Sequence, residues 1–270
     1  MEKTISKIAK ELKERITIPI TIGLRDSGLA GIALFFFFYS RFKEDSEYKE
    51  TANELLYKCL SIANKKTGYS FVSQLADIGR IINSLSSDKY IEVEPVESIL
   101  YFEKLLMSRM RNDANTDFGF QTGIIGICDF FLNTPNEQEA LDLTIENICS
   151  GLGVKGYPIH PIASLFLFPS EILWDVKIFL CKLEKLNRTV PRKELLKQAI
   201  RKLESKKILQ SNCPEYNILQ DLREAGIMDD TKKIQSSLET IASSSSNLIF
   251  KGLACMSLEN ESLSNWWKLV

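Results

Sequence analysis

Apolar residues recur at helical spacing along almost the whole chain, and this periodicity limits the folds open to it. Ile5, Ile8, Ala9, Leu12 and Ile16 form one stripe at the i, i+3, i+4, i+7 spacing of an amphipathic helix. Tyr48, Ala52, Leu55, Leu56, Cys59, Leu60 and Ala63 repeat the pattern between an Asp45/Ser46 cap and Gly68. Val96, Ile99, Leu100 and Leu106 follow Pro95, and Leu195, Leu196, Ala199, Ile200 and Leu203 follow Pro191. Proline suits the first turn of a helix, where its missing N–H costs nothing. No stretch alternates over six residues; the nearest, Ile16 to Ile22, is interrupted by Pro19. Thirteen glycines and eight prolines among 270 residues provide few turns. These features predict an all-α chain of about twelve helices.

The predicted helices are of two kinds. Those over 3–15, 46–64, 95–110, 136–149, 191–206 and 229–242 carry one charged face. Those over 28–40, 71–85, 121–132, 160–168 and 248–258 are apolar nearly all round, and such a helix must be buried on every side. Alternation of the two predicts two concentric layers in a single domain over 1–270, an α/α toroid of about six hairpins. The inner helices share a small-residue entry: Gly28-Leu29-Ala30-Gly31, Gly123-Ile124-Ile125-Gly126 and Gly252-Leu253-Ala254-Cys255, with Gln74-Leu75-Ala76-Asp77 and Pro161-Ile162-Ala163-Ser164 as degraded copies. Starts are spaced by 46 (28 to 74), 49 (74 to 123) and 38 (123 to 161) residues, and the 91 from 161 to 252 leave room for one more hairpin near Cys213. Small residues let helix starts approach closely. Their N–H groups and positive dipole ends would then ring the mouth of a cavity.

Several functional classes are excluded by composition. Thirty-four Lys and Arg against 35 Asp and Glu give a net charge of −1, without the basic excess of a nucleic-acid partner. The single histidine, His160, excludes every metal site that needs two. Six cysteines, no two closer than 21 residues, contain no CxxC pair and read as buried small hydrophobes of a reduced, cytoplasmic protein. The most apolar run, Gly28 to Tyr39, is 12 residues long and bounded by Arg25, Asp26 and Arg41, too short to span a bilayer. The charged, amphipathic start MEKTISKIAKELKERI is unlike a secretory signal.

GLAGIALFFFFYSR (Gly28 to Arg41), followed by a helix bearing Tyr and Ala, resembles the first repeat of the lanthionine synthetase C-like family. SFVSQLADIGRIINSL (Ser70 to Leu85) is similar to its second repeat, DFGFQTGIIGICDFFL (Asp117 to Leu132) to its third and IHPIASLFLF (Ile159 to Phe168) to the one after. KGLACMSLENESLSNWWKLV resembles the closing repeat. The resemblance runs over 1–133 and 248–270 and implies an α/α toroid. It also implies a zinc held by a Cys in a Trp-Cys-Tyr-Gly-like motif and by a Cys-His pair. That zinc lowers the pKa of a peptide thiol, whose thiolate adds to a dehydroalanine or dehydrobutyrine. Here the chain departs from the family. No Cys-His dipeptide occurs, His160 lies between Ile159 and Pro161, and Asn212-Cys213-Pro214 lacks the Tyr-Gly. The chain is also shorter than is usual in the family, as though the hairpin carrying Cys-His were lost. The resemblance therefore implies a pseudo-cyclase of the peptide-modification lineage, with no zinc or other cofactor, that binds a peptide or a maturation enzyme. Neither a nucleic-acid partner nor a membrane span is expected.

His160 and three aspartates are candidates for chemistry. His160 opens a predicted inner helix where relatives place a cavity-facing His, and it reads either as an acid/base or as a side chain satisfied by backbone. Asp26 and Asp117, with Asp77, lie at or near inner-helix starts. Six-hairpin glycoside hydrolases place acid and base at that end, but Asp is also a favoured helix cap. Three other functions stay open: a residual thioether cyclase using Cys213, His160 and another cysteine, a carbohydrate-active enzyme using two aspartates, and a helical-repeat scaffold. Asp229-Asp230 reads as a cap. Trp266-Trp267 reads as packing against the first repeat or as an exposed partner patch.

Overall fold

The structure is a computed structural model. It describes residues 1–16, 22–24, 28–63, 69–88, 90–91, 96–112, 119, 123–132, 134–152, 170–190, 193–204, 214–263 and 266. Among these are twelve helices and no strand: α1 (Glu2–Arg15), α2 (Leu29–Lys43), α3 (Ser46–Ala63), α4 (Tyr69–Ser87), α5 (Val96–Asn112), α6 (Ile124–Phe131), α7 (Glu137–Gly151), α8 (Ser170–Lys185), α9 (Lys193–Glu204), α10 (Pro214–Ile227), α11 (Thr231–Ser244) and α12 (Leu248–Glu259). The all-α class read from periodicity is the class observed.

Both kinds of helix are present. α1 buries one stripe, Ile5, Ile8, Ala9 and Leu12. α2 buries every residue from Leu29 to Ser40. α6 and α12 are likewise buried along most of their length. The expected inner helix over 160–168 lies outside the described residues. α8 is an addition to the helices read from sequence, although Val176, Phe179, Leu180 and Leu183, all buried, hold i, i+3, i+4, i+7 spacing. Helix ends follow local chemistry. Asp45 Oδ1 accepts the Glu47 N–H at 2.9 Å before α3, and Asp230 Oδ1 accepts the Lys233 N–H at 3.0 Å as the N-cap of α11. Asn247 Oδ1 caps α12, accepting from Ile249 and Phe250 N–H at 3.0 and 3.3 Å.

The chain divides into two compact units. Unit 1 joins Met1–Ser98 to Asp221–Val270. In it α2 packs on α3, α4 and α1, and α12 packs on α11, α1 and α2. Its core centres on Phe35, Phe36 and Phe37, each at most 1% exposed, a burial that stabilises by roughly 1.5–3 kcal/mol per ring. Two glycines of the entry motifs sit at the tightest contacts. A Cβ on Gly252 would lie 2.4 Å from Phe35 Cε2, and one on Gly31 would lie 2.4 Å from the Leu24 carbonyl oxygen. The small residues are required by close packing, as the repeat suggested.

Unit 2 is Ile99–Gln220. In it α6 packs on α7 and α8, with Phe130, Phe131, Cys128 and Thr144 in its interior. Ion pairs tie its helices together: Lys182 of α8 with Asp129 of α6, Arg188 with Glu137 at 3.1 Å, and Arg111 with both carboxylate oxygens of Glu139 at 2.5 and 2.7 Å.

Candidate functional site

The start of α2 in unit 1 is the best-defined polar arrangement next to an inner-helix N-terminus. Gly28, the N-cap of α2, has no side chain to accept from the first turn, so the N–H groups there need other acceptors. The segment Ile22-Gly23-Leu24 supplies them. Ala30 N–H donates to the Ile22 carbonyl at 3.2 Å and Gly31 N–H to the Gly23 carbonyl at 3.3 Å. On its other side the segment is held by α4. Gln74 Oε1 accepts the Ile22 N–H at 3.3 Å, and Asp77 Oδ2 accepts the Leu24 N–H at 3.4 Å. Cys59 Sγ donates to the Ile22 carbonyl at 3.8 Å. Gly23 has no room for a larger side chain without displacement, since a Cβ there would meet Gln74 Cγ at 3.1 Å and Asp77 Oδ2 at 3.3 Å.

The second oxygen of Asp77 pairs with Arg80 one turn along α4. Asp77 is 7% and Arg80 6% exposed. Burying two charges is costly unless each is paired and further hydrogen-bonded; here the Leu24 N–H and the guanidinium share the carboxylate. This corrects the reading of Asp77 as a helix cap: it lies in the third turn of α4. Its work is to fix the segment that enters α2. Asp26, Asp117 and His160 lie outside the described residues, as do Cys213 and Trp267.

Trp266 is fully buried. It stacks on Phe250 of α12 at 6.0 Å between ring centroids, and its Nε1 donates to Ser257 Oγ at 2.9 Å. This corrects the alternative in which Trp266 forms an exposed patch.

Further acidic residues with buried surroundings escaped the sequence reading: Glu103, Asp129 and Asp175. Burial raises the Glu103 carboxyl above its usual range, partly offset by the Asn136 amide, which donates to it at 3.5 Å. A signal for it existed. Position 103 falls on the stripe of Ile99 and Leu106, so a charge there interrupts an apolar face.

The five described cysteines are all unbridged, and Cys59, Cys128, Cys149 and Cys255 are buried. Burial pushes the thiols of Cys59 and Cys128 up to about 12, and that of Cys255 upward. A zinc ligand must be a thiolate, and these groups are neutral in their surroundings. Among the described residues no three His, Cys, Asp or Glu side chains come together to hold a metal. No helix among them is long and apolar enough to cross a membrane.

Compared with known proteins, residues 26–153 match the family model described as lanthionine synthetase C-like protein. No match was found among curated proteins or among solved structures. The matched stretch runs from α2 through α7 and contains Gln74, Asp77 and Arg80 as well as the small-residue starts of α2 and α6. Over residues 26–153, then, the chain is similar to lanthionine synthetase C-like proteins.

Proposed function

We propose that this protein serves lanthionine-type peptide modification as a pseudo-cyclase, binding a peptide or a partner maturation enzyme without a resident zinc and without forming the thioether itself. Family likeness over 26–153 supports the lineage. The observation that carries the non-catalytic reading is the state of the cysteines. The thiols of Cys59 and Cys128 are buried and held neutral, and the single histidine, between Ile159 and Pro161, forms no Cys-His pair. Activating a peptide thiol needs a cation to hold it as thiolate, and neutral thiols buried in apolar surroundings do not assemble such a centre. In this reading the ligand lies near inner-helix N-termini, whose dipoles favour carbonyl and carboxylate groups; at α2 and α12 the first-turn N–H groups described are already taken by Ile22, Gly23 and Asn247. Asp77 and Gln74 hold the approach to α2 in place. A cytoplasmic location belongs to the same reading, supported by the unbridged cysteines.

Elemental analysis of the purified protein tests it, with zinc expected far below one atom per chain. The protein is also expected to bind a peptide carrying dehydroalanine and cysteine while leaving its free-thiol count unchanged, with or without added zinc. Near-stoichiometric bound zinc, or thiol loss that disappears in Cys213→Ala, would return the reading to a working cyclase.

A further inference from the structure

We draw no further inference here: the strongest candidate, the buried Asp77–Arg80 pair of α4 beside the Ile22–Leu24 segment, has its carboxylate taken up by the Leu24 N–H and the guanidinium and belongs to the site already described.

Discussion

Asp77 joins an ion pair to a backbone contact, so its substitutions separate the two roles. Asp77→Ala removes both the buried ion pair to Arg80 and the acceptor of the Leu24 N–H. The expected cost is about 3–5 kcal/mol in urea unfolding. Asp77→Asn keeps an oxygen for Leu24 and loses only the charge, so it is expected to cost less than Ala. Equal losses would show that the backbone contact contributes nothing.

Glu103 works in the opposite sense. Its folded-state pKa is raised, mainly by burial. The stability it contributes is therefore greatest below its unfolded pKa and is lost as pH rises through the folded value. Once ionised, the carboxylate carries its charge where little solvates it. Glu103→Gln keeps the shape and removes the charge. It is expected to stabilise at pH 7 by on the order of 1 kcal/mol, about 2–4 °C in Tm. The gap should close as pH falls through the carboxylate range. Thermal melts of both proteins across pH decide this, and a gap independent of pH would refute it. Glu139 shifts the other way, its carboxyl held below the usual range by its hydrogen bonds to Arg111.

At the scale of elements, the glycines of the entry motifs are the sensitive positions. Gly252→Ala drives a methyl into the ring of the fully buried Phe35. Gly31→Ala drives one into the Leu24 carbonyl, which belongs to the backbone and cannot swing aside. Overpacking of this kind costs about 1–3 kcal/mol. Gly31→Ala is expected to be the worse, because it also displaces the segment that supplies acceptors to α2. Denaturant midpoints of the two variants test both the size and the order. The need for small residues was legible from the repeat, because recurrence at the starts of apolar helices marks close approach. Their contact partners were not, because Phe35 and Gly252 come from opposite ends of the chain. The charged positions were legible only in part: Asp77 stood out near a helix start and was read as a cap, while Glu103 lay hidden in its own stripe.

At the scale of the whole molecule, unit 1 is built from two stretches distant in sequence. α12 buries Ile249, Phe250 and Leu253 and packs on α1 and α2 as well as on α11. Removing 245–270 would uncover the surfaces around Ile8 and Phe35 that meet Gly252. Such a truncation is expected to lose cooperative unfolding and bind a hydrophobic dye such as ANS, and a sharp transition like that of the full chain would count against it. The same long separation should slow folding of this unit, since closing a long loop costs entropy before the contact repays it.

Helix class, the division into amphipathic and all-round apolar helices, and the caps at Asp45 and Asp230 could all be read from sequence. Each depends on residues within a turn or two of one another, and the backbone geometry of a helix converts that spacing directly into faces and ends. The clamp of Gln74 and Asp77 on Ile22–Leu24, the seat of Gly252 against Phe35, and the neutral state of the buried thiols depended on tertiary packing. They arise between segments separated by tens to hundreds of residues. Local periodicity carries no information about which distant group will supply a hydrogen bond, a steric wall or a low-dielectric surrounding.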